Sequence, residues 1–255
     1  MAAHSEFPEK SNLIAVYDKR KFRKAACKFM KILVICDDHY HPGQVIKDGL
    51  APLKEKGFQF DVVENGLDVK PEMLKNYPVV ILSKCDEASP EDKTSWETTA
   101  LQQAFVDYVE NGGGLLAIHC GLVSGKNTQV LHGLIGAKFK WHPADSIVTM
   151  ETIKPHPVTE GVNQFSQGDE HYYIELLADD VDILMASYSP SKGIEEKYET
   201  EPYFNVPAKI EPCCFVRTQG QGRVCVLTPG HHLKLWLDDN FQRLLDNSLR
   251  WCAGK

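Results

Sequence analysis

Four short segments rich in apolar residues stand in the first half of the chain, with longer mixed segments between them. These are residues 31–36, 58–63, 79–82 and 115–118. Uninterrupted apolar runs of four to six residues are typical of strands that are buried on both faces of a parallel sheet. We therefore predict strands over all four segments, with 31–36 and 115–118 as the buried ones; residues 58–63, which include Gln59 and Asp61, are a second strand.

The segments between these strands predict helices. One runs from about Val45 to Leu53 and is closed by Gly57; a clearer amphipathic helix lies between Pro90 and Gly112, where consecutive glycines supply a left-handed terminator. Alternation of strand and helix implies right-handed crossover connections. The predicted fold class is α/β, with a doubly wound, mostly parallel sheet.

The second half predicts shorter strands and a terminal helix. Residues 213–218 and 223–228 form two strands joined by a glycine-rich turn, which is typical of an antiparallel pair. We predict further strands over 147–152, 173–177 and 181–187, a long loop over 188–210, and a last helix from Phe241 to Cys252 with Asp238 or Asp239 as its cap. The C-terminal half thus adds antiparallel strands to the sheet.

Composition and charge exclude several classes of protein. The chain has 255 residues, 43% hydrophobic and 25% charged, with a net charge of -7, values typical of a soluble globular protein. Residues 1–29 hold seven Lys or Arg against three acidic residues, so residues 30–255 are more acidic than the whole. We expect a basic extension over 1–29 and one α/β domain over 30–255. An acidic body disfavours nucleic acid as a partner.

Targeting signals and cysteines indicate the cellular compartment in which we expect the protein. The apolar run over residues 13–16 is too short for a signal peptide or a membrane span, so we expect a cytoplasmic protein without a membrane partner. None of the eight cysteines forms a CxxC pair, which indicates buried thiols in a reducing compartment. No GxGxxG or Walker spacing is present, and no nucleotide cofactor is expected.

Six of the ten histidines fall within four polar segments at predicted strand ends. The segments are residues 37–41 (DDHYH), 119–121 (HCG), 169–172 (DEHY) and 230–232 (GHH). In open α/β sheets ligands bind beyond the carboxyl ends of the strands. Imidazoles gathered with carboxylates suit either divalent metal binding or acid/base chemistry near neutral pH.

Not every histidine in these segments predicts a function. We expect His119 and His231, which follow buried strands, to be functional. Hydrogen-bonded structural roles are expected for a second group, which comprises His41, His132, His142, His171 and His232. His119 also occupies a strand-to-helix turn typical of a nucleophile elbow, with Cys120 one residue beyond the nucleophile position. A cysteine-dependent hydrolase is therefore a minor hypothesis, and amidotransfer is disfavoured.

Five motifs in order carry a resemblance to a known family. They are Asn111–Gly114 leading to Ile118-His119, residues 156–159 (HPVT), residues 169–172 (DEHY), residues 220–224 (GQGRV) leading to Gly230-His231, and Arg250-Trp251. Together they resemble the trehalose-utilisation (ThuA-like) family from about residue 31 to 254. The resemblance implies a class I glutamine amidotransferase-like fold of flavodoxin type. It also implies a role in carbohydrate catabolism with a sugar 3-dehydrogenase as pathway partner.

The resemblance and the residue types together predict a site. As catalytic residues we expect His119, Glu170, Tyr172 and Arg223; as substrate-binding residues Asp38, His39, Asp169 and His156; and as metal ligands His119, His231 and His39. The predicted cofactor is a divalent metal, Zn, Mn or Co. The predicted substrate is a small sugar, a 3-keto derivative of a disaccharide or glycoside, cleaved by metal-assisted acid/base chemistry as in a lyase or hydrolase.

One alternative belongs to a different class of function. The same fold occurs as an oligomerisation domain in glycosidases, so the chain is also interpretable as a non-catalytic sugar-binding or homo-oligomeric module. Metal content separates this alternative from the enzyme, because only the enzyme hypothesis requires a bound ion.

Overall fold

A computed structural model describes residue 1 and residues 29–123, 125–189 and 210–255. The strands are β1 Met30–Cys36, β2 Phe58–Val63, β3 Val79–Ser83, β4 Gly114–Ile118, β5 Ala137–Trp141, β6 Ser146–Thr152, β7 Phe165–Asp169, β8 Tyr173–Leu176, β9 Asp182–Tyr188, β10 Glu211–Gln219 and β11 Gly222–Leu227. The α-helices are α1 Gly43–Leu50, α2 Pro71–Leu74, α3 Thr99–Glu110, α4 Gln129–Ile135, α5 Leu233–Trp236 and α6 Asp239–Cys252.

Within the described residues, nine strands form one sheet in the order β2-β1-β3-β4-β11-β10-β9-β6-β7. The first five in this order are parallel, and β10, β9, β6 and β7 continue the sheet with antiparallel pairing. Strands β5 and β8 form a separate antiparallel pair. The predicted α/β class with a mostly parallel first half and an antiparallel second half is confirmed.

Each central strand sends alternate side chains into two apolar layers, because successive residues of a strand point to opposite faces. In β1, Ile32 and Val34 pack in a layer that includes α1, α5 and α6, whereas Leu33 and Ile35 pack in a layer that includes α2, α3 and α4. All four side chains are fully buried. The uninterrupted apolar run in the sequence is therefore explained by helices on both faces of the sheet.

Helix α3 is shorter than its sequence pattern predicts. It begins at Thr99, after the Oγ1 atom of Thr98 caps it by accepting from the backbone N–H of Leu101, and not near Pro90. Residues 95–97 instead turn around the carboxylate of Asp86. This carboxylate accepts hydrogen bonds from the hydroxyl of Ser95 and from the backbone N–H groups of Trp96 and Glu97. The predicted stop is confirmed, since Gly112 has a φ of +100° directly after the helix.

Strands β5 and β7 and the short helices α2 and α5 were not predicted from the sequence. Of the two predicted caps of the last helix, the structure shows Asp238, whose carboxylate accepts from the N–H groups of Asn240 and Phe241.

The predicted extension 1–29 lies outside the described residues except for Met1 and Phe29, as do residues 190–209 of the predicted loop. None of the helices in the described residues is long and apolar enough to cross a membrane.

Parallel pairing brings three of the polar segments to one edge of the sheet. Strands β1, β3, β4 and β11 are neighbours and point the same way, so the residues that follow them emerge together. These residues include His41 after β1, His119 after β4 and His231 after β11. The segment after β7 joins them, because the carboxylate of Asp169 accepts hydrogen bonds from the N–H groups of Gly230 and His231.

One packing contact links the core to this edge. A Cβ atom added at Gly49 of α1 would lie 2.5 Å from Cβ of Trp236 and 2.7 Å from its Cγ. The Trp236 side chain is fully buried, and its indole N–H donates to the carbonyl of Gly230, next to His231. Helix α1 can approach α5 this closely only because residue 49 is glycine.

We expect Gly49→Ala to lower the free energy of unfolding by about 1–3 kcal/mol, because the extra methyl overpacks a rigid indole. The gain in helix propensity, about 1 kcal/mol, offsets only part of this cost. Urea denaturation measures the change. The matched control is Gly133→Ala in α4, where the added methyl meets nothing within 4 Å and should stabilise slightly. A Gly49→Ala protein as stable as the wild type would contradict the packing argument.

Candidate functional site

Three histidines and one glutamate meet at the carboxyl edge of the sheet. His41, His119, Glu170 and His231 each offer one ligand atom, and these four atoms all lie within 4.8 Å of one another. The ring centroids of the three histidines form a nearly equilateral triangle with sides of 5.1, 5.2 and 5.5 Å. We call these four residues the His/Glu cluster.

His119 is held by a sharp turn and by a main-chain carbonyl. It follows β4 with a φ of +48°, the left-handed conformation expected at an elbow, and its side chain is fully buried. Its Nδ1 donates to the carbonyl of Thr228, 2.8 Å away. A carbonyl only accepts, so this bond places the proton on Nδ1 and leaves the lone pair on Nε2. Burial lowers the pKa of His119, which favours that neutral form.

Glycine at position 230 gives the ring of His119 its space. A Cβ atom at Gly230 would come within 2.9 Å of the Cβ of His119. The backbone after β11 can therefore pass directly beside the elbow, and His231 follows on the next residue. This explains why a glycine precedes the histidine in this segment.

A buried carboxylate fixes His41 in the same way. Nδ1 of His41 lies 2.7 Å from Oδ1 of Asp38, which is 1% exposed and also accepts from the N–H groups of Tyr40, His41 and Cys85. Burial alone would raise the pKa of Asp38, but these hydrogen bonds outweigh it and hold the pKa below its usual range. The ionised carboxylate therefore accepts a hydrogen bond from Nδ1–H of His41, and the Nε2 lone pair is available to the cluster.

His231 has a buried ring nitrogen with no hydrogen-bond partner in the described part of the chain. Its Nδ1 faces Oε2 of Glu170 at 3.2 Å, without the geometry of a hydrogen bond. Its backbone N–H is held by Oδ1 of Asp169 at 2.8 Å. A buried nitrogen without a hydrogen bond is costly, so Nδ1 of His231 is suited either to a proton that pairs it with Glu170 or to a metal ion.

The charges of the cluster attract a cation. Burial would raise the pKa of Glu170, yet the contacts with His119 and His231 outweigh it and hold the pKa below its usual range. Those contacts are both 3.2 Å long and end on the same oxygen, Oε2. The same carboxylate raises the pKa of His231. The same oxygen thus faces a His231 ring whose protonated form it favours and the Nε2 lone pair of His119, and a metal ion or a proton between the carboxylate and that lone pair would make the contact favourable.

The distances also fit a divalent metal. Two ligand atoms that bind the same ion at about 2.1 Å lie roughly 3.0–3.4 Å from each other when the ligand–metal–ligand angle is between 90° and the tetrahedral value. The two separations of 3.2 Å at Oε2 of Glu170 fall in that range. Imidazole nitrogen and carboxylate oxygen together suit Zn, Mn or Co. The His/Glu cluster could hold such an ion with carboxylate and carbonyl groups behind two of its histidines.

A second group of Asp38, His41 and Cys120 also lies within metal-binding distance. It is less suitable, because the oxygens of Asp38 already accept four hydrogen bonds. Burial also raises the pKa of the Cys120 thiol, so that the protonated form is favoured. The group is better explained as the support of His41.

Three members of the cluster, His41, Glu170 and His231, lie at the floor of a cleft of about 630 Å³, and His119 is fully buried behind them. Its walls include His39, Tyr40, His41, Glu87, Phe139, His142, Glu170, Tyr172 and His231. Tyr172 stacks on His119 with ring centroids 4.0 Å apart, and its buried hydroxyl has a raised pKa because of that burial. A groove of about 700 Å³ between α2 and α3 contains no histidine or cysteine. The smaller cleft is therefore the candidate site.

The structure brings together four of the predicted site residues, and it places two others behind the cluster, where they do not line the cleft. His119, His231, Glu170 and Tyr172 meet as described. Asp38 and Asp169, predicted to bind substrate, are 1% and 0% exposed and do not line the cleft. They stand behind His41 and His231, where their oxygens are occupied by the hydrogen bonds given above.

His39 lines the cleft but does not belong to the cluster, which corrects its predicted role as a metal ligand. Its Nδ1 lies 3.2 Å from the carbonyl of Pro90. The turn around Asp38 directs His41 to the cluster instead, since Asp38 accepts from the N–H groups of both Tyr40 and His41. His41 was expected to have a hydrogen-bonded structural role; the structure shows its hydrogen bond to Asp38 and also places its ring in the cluster.

Arg223 and His156 lie away from the cluster, contrary to their predicted catalytic and substrate-binding roles. Arg223 is near the start of β11, in register with Gly114, and hence at the amino edge of the parallel strands. Its guanidinium donates to the carbonyl of Trp251 and lies 5.2 Å from that ring. The ring of His156 is 5.4 Å from the same tryptophan, and its Nδ1 accepts from the N–H of Val158. Both residues join the end of α6 to the sheet.

His142 and Phe139 were missed as cleft residues. Nε2 of His142 lies 3.5 Å from Oε1 of Glu170, on the side away from His119. Both residues belong to β5 or the loop after it, an element that the sequence pattern did not predict. For His41, the usable signal was Asp38 three residues earlier, because an aspartate at that spacing can accept from both the backbone and the ring of a histidine.

Comparison with known proteins identifies the family. The family model for ThuA, described as trehalose utilisation, matches residues 17–252. The chain belongs to the ThuA family. The matched range begins inside the segment 1–29, and the family description places the chain in carbohydrate metabolism. No match was found among curated proteins.

Solved structures agree with the ThuA fold. A ThuA-like protein from Bacteroides uniformis ATCC 8492 is 23% identical with a TM-score of 0.66, over 88% of this chain and 91% of that one. One from Parabacteroides merdae ATCC 43184 is 20% identical with a TM-score of 0.67, over 89% and 91%. A β-galactosidase from Rahnella sp. R3 is 14% identical with a TM-score of 0.53, over 86% of this chain and 31% of that one. These similarities support the glutamine amidotransferase-like fold.

The elbow of this ThuA-family chain disfavours a cysteine-dependent hydrolase. Cys120 is 1% exposed, and its Sγ lies 3.6 Å from the hydroxyl of Ser83. Because burial raises the pKa of this thiol, little thiolate forms at neutral pH.

We therefore expect Cys120 to remain unlabelled by iodoacetamide at pH 7 in the folded protein and to react fully in denaturant. Peptide mass spectrometry locates the label. The other described cysteines are buried too and act as internal controls. Rapid labelling of Cys120 alone, at a rate above that of free cysteine, would revive the cysteine hypothesis.

Proposed function

We propose that this ThuA-family chain is a metal-dependent enzyme that cleaves the glycosidic bond of a 3-keto glycoside. The single observation that carries the proposal is the His/Glu cluster at the floor of the cleft. Two of its imidazoles have their protons fixed on the far nitrogen, and a third has an orphaned buried nitrogen. Such an arrangement fits an ion bound by His41, His119 and His231 with Oε2 of Glu170. A sugar-binding module without a bound metal would not require this arrangement.

The chemistry of a 3-keto sugar suits these groups. A ketone at C3 makes the C2 proton acidic, and the resulting enolate expels the C1 substituent, which leaves with a proton as an alcohol. A divalent ion at the cluster would polarise the ketone oxygen. Water added to the unsaturated ketone then completes a net hydrolysis, whereas its release would make the enzyme a lyase.

Glu170 is our candidate for the base that takes the C2 proton: Oε2 would hold the ion and Oε1 would accept the proton, and since the pKa of Glu170 is held low, the transfer relies on the acidity that an ion on the ketone oxygen would give to C2. Its Oε1 is turned towards His142 and the cleft, while Oε2 faces the histidines. The side chain is 11% exposed, so a substrate in the cleft can reach it. Tyr172, stacked on His119, would orient the sugar beside it. A sugar 3-dehydrogenase would supply the substrate.

Metal content tests the cluster directly. We expect wild-type protein, reconstituted with Zn, Mn or Co and dialysed, to retain about one ion per chain. His231→Ala and His41→Ala should lose affinity by at least about 100-fold, since loss of a supporting residue alone costs 10–100-fold. Elemental analysis and calorimetry give the readout, and a melting curve establishes that each variant is folded.

The matched control is His39→Ala, which removes a histidine from the same loop but from outside the cluster. It should retain the ion. Equal losses in His39→Ala and His41→Ala, or a wild type that binds no divalent ion, would contradict this assignment.

Turnover tests the base. With 3-keto glucosides and saturating metal, Glu170→Gln should lower kcat by about 10²–10⁴-fold, the usual contribution of a general base. Chelation should abolish turnover of the wild type. Glu175→Gln, the same change at an exposed position paired with Lys138, is the control and should keep kcat within about twofold. Wild-type kcat in Glu170→Gln would rule out the assigned role.

A further inference from the structure

One charged side chain is enclosed by the protein near the turn that holds His41, and the proposed reaction does not use it. Lys84 follows β3 directly and is 0% exposed. A lysine is almost never fully buried unless its ammonium is paired, because removing a charge from water is unfavourable. Within the described residues Nζ of Lys84 forms no ion pair with a carboxylate, and it donates instead to the main-chain carbonyl of Asp37. The position of this carbonyl therefore bears on the role of the lysine.

Two consecutive residues after β3 hold two consecutive residues after β1. The ammonium of Lys84 contacts the carbonyl of Asp37, and the N–H of Cys85 donates to Oδ2 of Asp38, 3.0 Å away. Strands β1 and β3 pair in parallel, so that their carboxyl ends are neighbours. The end of β3 thus fixes the start of the turn that carries His41.

The conformation of Asp37 explains why its carbonyl has to be held. Its φ is +79°, and among the described residues that are not glycine only His119 shares this left-handed conformation. The conformation is less favourable for aspartate than for glycine, so contacts must maintain it. Two contacts do so: Oδ1 of Asp37 accepts from the N–H of Gly43 at 2.7 Å, and the carbonyl accepts from Lys84. Strained residues of this kind concentrate at functional sites.

The turn at Asp37 determines where the carboxylate of Asp38 lies. That carboxylate is 2.7 Å from Nδ1 of His41 and also accepts from the N–H groups of Tyr40 and His41. The N–H groups of Asp38 and His41 in turn donate to each other's carbonyls. Residues 38–41 therefore form one closed unit. Relaxation of φ at Asp37 would rotate this unit and carry the ring of His41 away from the cluster.

An apolar side chain at position 84 could not maintain this geometry. The carbonyl of Asp37 would lose its donor and face a buried hydrocarbon chain, which is unfavourable for a polar group. The positive charge also lies in the same enclosed region as the carboxylate of Asp38. Burial raises the pKa of the Cys85 thiol most, Asp38 raises it further and Lys84 lowers it, so both charges act on one thiol.

We propose that Lys84 is a positioning residue for His41: its ammonium holds the left-handed turn at Asp37, and this turn directs His41 into the His/Glu cluster. The effect on metal binding rests on the proposed function. The effect on the ring of His41 is measurable without a metal or a substrate.

The tautomers of two histidines test the proposal in metal-free protein. Long-range proton–nitrogen NMR of protein labelled in its histidines separates a ring with its proton fixed on Nδ1 from a mixture of tautomers. In the wild type we expect a fixed Nδ1–H in both His41 and His119. Lys84→Met should give a mixture at His41, while His119 keeps its proton on Nδ1 because the carbonyl of Thr228 still accepts it.

Metal affinity gives a second measurement. By calorimetry, Lys84→Met should bind the ion about 10–100-fold more weakly, the usual effect of losing a residue that supports a ligand. The matched control is Lys47→Met, which removes an ammonium from α1 that pairs with Glu64 at 2.6 Å and not with the carbonyl of Asp37. It should leave the affinity and both tautomers as in the wild type.

A double variant tests the route through Asp37. Glycine adopts a positive φ without steric strain, so adding Asp37→Gly to Lys84→Met should recover part of the fixed Nδ1–H signal of His41. Melting curves establish that each variant is folded. If Lys84→Met alone does not fold, the double variant carries the same test, and a mixture of tautomers at His41 in it would overturn the proposal.

The outcomes separate this inference from the proposed function. A fixed Nδ1–H at His41 in folded Lys84→Met would overturn the positioning role. An equal change at His41 and His119 would overturn it too, since Lys84 would then act through the stability of the whole site. A selective change at His41 in a protein that binds no divalent ion would support the positioning role and remove the proposed metal-dependent function.

Discussion

The hydrogen bond from Nδ1 of His119 to the carbonyl of Thr228 is the contact on which the site depends. It joins the ends of two neighbouring parallel strands, β4 and β11, and fixes both the orientation and the tautomer of a fully buried ring. A buried imidazole without this bond would leave a polar nitrogen unpaired. The same geometry then requires the passage of Gly230 beside the elbow, and that passage sets the position of His231.

The surrounding acidic groups make this corner of the molecule attractive to a cation. Asp38 and Asp169 are buried behind His41 and His231, and Glu170 lies between the rings. Three carboxylates so close together are tolerable because backbone N–H groups and imidazole rings surround them. The elbow that would present a nucleophile in a related fold here presents an imidazole, which shows how a fold keeps its turn while its chemistry changes.

Sequence patterns predicted the inner parallel strands β1, β3 and β4 well, because strands that are buried on both faces are almost entirely apolar. They predicted β5 and β7 poorly: β5 lies in a separate two-stranded sheet and β7 at a sheet edge, where one side is left unpaired and polar residues are admitted. Because β5 was not predicted, the cleft residues Phe139, which lies in β5, and His142, which follows it, were not predicted either. Arg223 was misplaced for another reason: it begins the predicted strand 223–228, and only the parallel pairing of β11 with β4 shows that this end lies opposite the site.

The sequence by itself determined the sheet, its helical layers and the gathering of histidines after β1, β4 and β11, since hydrophobic period and strand direction are local properties. It also carried the motifs by which the ThuA family is identified. Only the tertiary structure decided between His39 and His41, because that choice depends on which backbone and ring groups reach the buried carboxylate of Asp38. Contacts between residues distant in the chain, such as Glu170 with His231, depend on how the sheet folds back on itself, and no local pattern encodes them.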